Sequence, residues 1–373
     1  MSVIEAIEAC TVNLTLTKPV QLSTRRIEKR CYTLVRVRCS DGSTGIGICH
    51  GGTRYGGLAT TAVRELFRPL LIGEDAHRTE GLWQSMYQDS LLNGRTGAVM
   101  RALSAVDIAL WDRNARKSGL PLWRYLGAVS KGTIPTYASG GYYADGKSAH
   151  DLGDEVAGYV AAGFKAVKIK IGAAAPSVDL ARVAAARAAL GDDGLLLLDA
   201  NNAWNNLASA LETLRPMLDY RPFLIEEPFG PDDNDNHARL AAALPVSIAT
   251  GELVAGRWGH RELMERARIT VLQPDVAVCG GVTEFRRIAA TAASSGVAIA
   301  PHSLQDIHAH LVASTQNALF LEYFPDDAIV PVGKLFDRRL QLRGGNVDLP
   351  QQPGLGFDFD EDAVSHYQVD PWS

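Results

Sequence analysis

In the second half of the chain, about 20 to 30 residues apart, stand Lys168 and Lys170, Asp199, Glu226, Glu252, Asp275, His302 and Glu322. Asp199, Glu226 and Glu252 are hard oxygen donors. Three carboxylates converging on one point repel each other unless a cation sits among them, and this donor type suits Mg²⁺. Glu227 follows Glu226 directly and is expected on the opposite face by strand alternation, which leaves Glu226 as the ligand. Lys168 and Lys170 share one face of a strand, and like-charge repulsion with desolvation is expected to depress at least one ammonium, giving a general base. Asp275 can hold one nitrogen of His302 and fix its tautomer. Two bases facing each other across a cation are suited to moving a proton at carbon.

These residues need a scaffold that brings strand ends together. They stand at or near the ends of the last seven of eight short apolar runs: Ile134–Ala138, Ala166–Ile171, Leu195–Asp199, Phe223–Glu227, Val246–Thr250, Ile269–Gln273, Val297–Pro301 and Leu319–Tyr323. Ala- and Leu-rich helical stretches separate them, as in consecutive βα units, and near-continuous apolar strands imply burial on both faces. Eight units predict a (β/α)₈ barrel, whose C-terminal strand ends meet at one mouth. Before them, alternating strands such as Cys31–Cys39 lead to a helix over Ala98–Trp111, an α+β unit of about 125 residues. The expected division is residues 1–126 as cap, 127–343 as barrel and 344–373 as a segment packing back on the cap.

Composition narrows the class. With 46% hydrophobic and 21% charged residues and a formal charge of −5, the 373-residue chain is globular and lacks the basic footprint of a nucleic-acid binder. No apolar run suits a membrane span and no basic n-region suits a secretory signal, so a cytoplasmic protein with no membrane partner is expected. The five cysteines form no C-x-x-C and are expected as buried thiols. Cys49-His50 lacks partner ligands at zinc spacing. Gly45-Ile-Gly47 lacks the third glycine of a dinucleotide fingerprint and is expected as strand glycines. His308 and His310, two apart in a helical stretch, are expected to be structural.

The ordered set Lys168-Ile-Lys170, Asp199-Ala-Asn201, Glu226-Glu-Pro228, Gly251-Glu252, Gln273-Pro-Asp275, Pro301-His302 and Leu321-Glu322 resembles the mandelate racemase subgroup of the enolase superfamily. The sister muconate-lactonizing subgroup would place a lysine two residues after Asp275, where this sequence has Ala277. The resemblance implies an α/β fold, a modified TIM barrel (β/α)₇β with an N-terminal α+β capping domain completed by the C-terminal tail, the first barrel strand lacking a complete helix unit. It implies Mg²⁺-assisted removal of the proton α to a carboxylate. Lys170 is then one base and His302, oriented by Asp275, the other. Lys168 stabilises carboxylate charge, Glu322 as a protonated acid bonds the second carboxylate oxygen, and Asn201 contacts a substrate hydroxyl. The partner implied is a small carboxylic acid, and relatives are commonly dimers or octamers.

The same residues serve two second steps. A dehydratase, a carbon–oxygen lyase, expels the β-hydroxyl of an acid sugar to give a 2-keto-3-deoxy acid; a racemase or epimerase returns the proton on the opposite face. A third reading is a non-catalytic binding protein. The cap strings Lys18–Arg30 and His50–Tyr55 are polar and cationic, which favours a polyhydroxy acid over an aryl one. Arg54, or an arginine near residue 25, is expected at the far carboxylate of a diacid.

Overall fold

The computed structural model describes residues 2–373. Three antiparallel strands, β1 (Ile4–Gln21), β2 (Arg26–Cys39) and β3 (Thr44–Gly52), open the cap. The long cap helix Gly97–Lys117 packs on β3 at very short range. Glycine permits this: a Cβ at Gly47 would fall 1.9 Å from the carbonyl oxygen of Ala105. The five cysteines are all buried and free.

Eight parallel strands follow: β4 (Thr133–Ser139), β5 (Ala166–Lys170), β6 (Leu195–Asp199), β7 (Leu224–Glu226), β8 (Ser247–Thr250), β9 (Val271–Leu272), β10 (Ala298–Ile299) and β11 (Leu321–Tyr323). From β4 to β10 they pair in sequence order, β10 meets the residues before β11 at the Ile299–Ala318 bridge, and β11 returns to β4 with Leu321 opposite Thr136. All eight apolar runs are strands. Seven α-helices connect them, so the barrel is (β/α)₇β. The incomplete unit differs from the expectation. β4 has its own full helix, Ala149–Ala161, whose Ser148 and Asp151 form a capping box. The last strand, β11, is followed only by the 3₁₀ segment Pro331–Leu335.

The chain then forms a hairpin, β12 (Gln341–Arg343) with β13 (Asn346–Asp348), whose second strand lies antiparallel to β4. Residue 344 therefore falls in the hairpin turn, and the next few residues extend the barrel sheet. From Gly354 on, the segment packs back on the cap as expected: the Leu355 N–H donates to Asp112 Oδ1 (2.7 Å), Arg116 pairs with Asp358 (2.8 Å), and β14 (Gln368–Asp370) joins the cap sheet, pairing with β1 at Thr11 and Val12. Cap and barrel are locked at the loop after β9: Trp83 Nε1 donates to the Gly280 carbonyl (2.7 Å), and Asp107 accepts from the Thr283 N–H (2.9 Å) and hydroxyl (2.6 Å). Among the described residues, no helix is long and apolar enough to cross a membrane.

Candidate active site

Inside the barrel, Tyr137, Ala166, Leu197, Leu224, Ala249, Val271, Ala300 and Phe320 belong to one packed cluster to which every strand contributes. Side chains return to the same side every second residue. The next layer toward the C-terminal mouth is therefore Ser139, Lys168, Asp199, Glu226, Gly251, Gln273, His302 and Glu322. Alternation alone lifts most of the expected residues into one layer, with Lys170 and Asp275 one step higher on their strands. Strand β8 departs from the rule: Gly251 takes φ +134°, and Glu252 supplies the carboxylate instead.

The contacts are dense. Lys168 Nζ lies 2.8 Å from both carboxylate oxygens of Glu226 and 2.7 Å from Glu322 Oε1. Lys170 Nζ donates to Asp199 Oδ2. Gln273 Nε2 donates to Glu226 Oε2 (2.5 Å), and the Asn201 N–H to Asp199 Oδ1 (2.9 Å). His302 Nδ1 is 2.8 Å from Asp275 Oδ2, and its Nε2 is 3.4 Å from Glu252 Oε2. Helix residue His308 braces this pair from behind: its Nε2 accepts the Val276 N–H (3.0 Å) and its Nδ1 donates to the Ser303 carbonyl (2.6 Å). His308 and His310 are buried, as a structural reading expects.

Electrostatics overturns two expectations. Burial pulls both lysines down, but Glu226 and Glu322 around Lys168, and Asp199 beside Lys170, outweigh it and hold both ammonium groups above their ordinary range. Neither lysine is depressed, because each faces a carboxylate rather than the other lysine. Burial would likewise raise Glu322, yet Lys168, then His302 and Lys170, bring it down to about 2, the direction opposite to that of a protonated acid. For His302, Glu252 and the Asp275 hydrogen bond overcome burial and push it up to about 10. Asp275 is held well below the carboxylate range, since His50 and His302 outweigh burial.

Glu227 also departs from its expected place. Its φ of +43° breaks the strand alternation, and its buried carboxyl is pushed up by burial and by Glu252, Asp199 and Glu226. It thus sits with the other acids. Asn202 donates to its Oε2 (3.1 Å), while its Oε1 is buried without a partner.

Above these residues lies a cavity of about 220 Å³. Its barrel wall includes Lys170, Asn201, Glu252, Asp275 and His302; its cap wall includes Arg25, Arg30, His50 and Arg101. Asn201 Oδ1 is buried and free of protein partners. Arg54 is not in the wall: the chain turns at Gly52 (φ +94°) and carries Arg54 and Tyr55 to the surface. The other expectation, an arginine near residue 25, is met in position by Arg25, and Arg101 lines the same wall. Its Nη1 donates to the His50 carbonyl (3.2 Å), its Nε is buried without a partner, and it is in no ion pair among the described residues. Sequence reasoning missed Arg101 because it lies in a helix read for its apolar face.

Residues 6–127 match the mandelate racemase / muconate lactonizing enzyme N-terminal domain, and residues 151–363 the enolase C-terminal domain-like model. The chain belongs to the mandelate racemase / muconate lactonizing enzyme family of the enolase superfamily. Within this superfamily it is 33% identical to arabinonate dehydratase of Saccharolobus solfataricus over 341 residues, 89% of each chain. It is 32% identical to D-galactarolactone cycloisomerase of Agrobacterium fabrum over 370 residues, 95% of this chain and 96% of the other. Among solved structures, L-talarate/galactarate dehydratase of Salmonella typhimurium LT2, liganded with Mg and L-lyxarohydroxamate, superposes with a TM-score of 0.92. That pair is 29% identical, covering all of this chain and 94% of the other. Enolase-superfamily relatives of this chain thus include both dehydratases and cycloisomerases.

Proposed function

We propose that this chain is a Mg²⁺-dependent dehydratase of acid sugars, acting on a sugar diacid. The observation that carries the reading is that Lys170 and His302 share one cavity whose opposite wall holds Arg25, Arg30 and Arg101. A base and an acid flank the reacting carbon, and unpaired guanidinium groups await a distal anion.

The donor set fits a divalent cation. Asp199, Glu226 and Glu252 offer hard oxygens, and the surrounding acids outnumber Lys168 and Lys170, with one Glu227 oxygen orphaned. Asp199, Glu226 and Glu252 would hold Mg²⁺, and the bound cation supplies positive charge beside the substrate carboxylate, making its α-proton removable. As a hydrogen-bond partner Asp199 holds Lys170 protonated; as a metal ligand it would do so less, which would leave Lys170 able to act as a base. Lys170 then takes the α-proton. His302, held by Asp275 through Nδ1, delivers a proton from Nε2 to the β-hydroxyl. The carbon–oxygen bond breaks, water leaves, and the enol tautomerises to the 2-keto-3-deoxy diacid. Lys168 lies at the carboxylate end, Asn201 at a hydroxyl.

Proton NMR in D₂O with Mg²⁺ and a panel of mono- and diacid sugars, their lactones and α-hydroxy acids tests this. New 2-keto-3-deoxy signals are expected. Loss of the α-proton with inversion would instead make it a racemase, lactone conversion a cycloisomerase. Mg²⁺ binding without exchange on any acid would support a non-catalytic binding protein.

A further inference from the structure

Asp275 serves two histidines. His302 Nδ1 is 2.8 Å from Oδ2, and His50 Nε2 is 3.0 Å from the same oxygen. Oδ1 accepts the Ala277 N–H at 2.8 Å. A carboxylate only accepts, so both imidazoles must present an N–H. The hydrogen of His302 is therefore on Nδ1 and that of His50 on Nε2, which leaves His302 Nε2 for chemistry in the cavity. His50 comes from the cap, 225 residues away in sequence. It lies opposite Tyr32 in β2, with ring centroids 5.6 Å apart, and its carbonyl is held by Arg101 of the long cap helix.

Barrel residues fix the backbone on either side of the pair through His308, but they leave the second acceptor position of Asp275 Oδ2 to the cap. We propose that His50 is a positioning residue for His302. By filling that position it stops the Asp275 carboxylate from turning toward water in the cavity. It thereby keeps the Nδ1–H of His302 on Asp275 and its Nε2 aimed at the substrate. The acid–base group is then set correctly only when the cap is seated on the barrel. This rests on the reading of His302 as the acid–base residue.

The test compares His50→Leu, His50→Gln and His50→Asn in the full chain. Glutamine carries an N–H to the reach of the imidazole Nε2; asparagine is polar but too short. The first readout is the downfield Nδ1–H resonance of His302, assigned by its loss in His302→Asn. It is expected to exchange slowly in wild type and His50→Gln and to be lost to fast exchange in His50→Leu and His50→Asn. The second is kinetics on the panel acid turned over. In the leucine and asparagine variants kcat is expected to fall about 10- to 100-fold with KM within about twofold, glutamine restoring most of it. Unchanged resonance and kcat in His50→Asn, or glutamine no better than asparagine with equal thermal stability, would overturn the proposal. If no panel acid reacts, the dehydratase reading fails while the resonance still decides the role of His50. If the leucine variant does not fold, asparagine against glutamine carries the comparison.

Discussion

The Lys168 ammonium lies 2.7 Å from Glu322 Oε1, deep beneath the cavity, with both side chains about 1% exposed. The same ammonium bonds both oxygens of Glu226, so one cation bridges two buried carboxyl groups from strands on either side of it. Removing that cation leaves uncompensated buried charge. Lys168→Met is expected to destabilise the chain by about 3–5 kcal/mol in urea unfolding. Adding Glu322→Gln should restore part of that loss; no recovery in the double variant would show that Glu322 does not depend on Lys168.

The carboxylate layer should report directly on the metal. Asp199→Asn and Glu252→Gln are each expected to weaken Mg²⁺ binding at least about tenfold in titration calorimetry, in line with the loss of a charged oxygen ligand. Chelation should abolish turnover, and Mg²⁺ should restore it. Wild-type affinity in both variants would place the cation elsewhere.

Arg101 makes the cap wall testable. A charge-assisted hydrogen bond contributes about 1.5–3 kcal/mol, or roughly 10- to 100-fold in affinity. Arg101→Met is expected to raise KM by that factor for a diacid and to leave KM for the monoacid of the same configuration within about threefold. Equal losses on both would assign Arg101 to holding His50 rather than to the substrate.

The pH dependence of stability has a traceable contribution from His310. Its Nδ1 accepts the Trp123 N–H (3.1 Å) and its Nε2 donates to the Leu355 carbonyl (3.0 Å), so the ring is fully used while neutral. Burial lowers its pKa to about 4. The unfolded chain then binds more protons than the folded one below about pH 6.5, so stability rises with pH between 4 and 6.5. The loss on going from pH 7 to 4 is expected to be about 3 kcal/mol from this group. Urea midpoints across that range should show it, and His310→Gln should flatten the slope.

Much of the site was legible because barrel strands obey a period of two. Once Leu197, Leu224 and Phe320 are inside, Asp199, Glu226 and Glu322 follow two residues later, and Gln273 could have been found by the same count. What was not legible broke that period or joined distant segments. Glu227 and Gly251 take positive φ, so alternation fails at both. His50 meets Asp275, and Arg101 meets the cavity, through packing of the cap on the barrel. K-x-K shows the two like charges, while the carboxylates that decide the charge of the lysines come from other strands, Asp199 on β6, Glu226 on β7 and Glu322 on β11. The glycines of β3 were rightly read as strand residues, but their reason, the close approach of the cap helix, needs the fold.

The pairing of β14 with β1 has a consequence for how the molecule is made. The cap sheet runs β14-β1-β2-β3, so its edge strand is encoded after the whole barrel. On the ribosome, the first three strands and their helix emerge and must wait, with that edge of β1 uncovered, until residues 368–370 arrive. The barrel, with every strand beside its neighbour in sequence except at the closing β11–β4 seam, can assemble in the meantime. Pairing of β14 with β1 is thus a long-range contact, of the kind that costs most loop closure, and it stitches β1 beside a strand translated after the barrel.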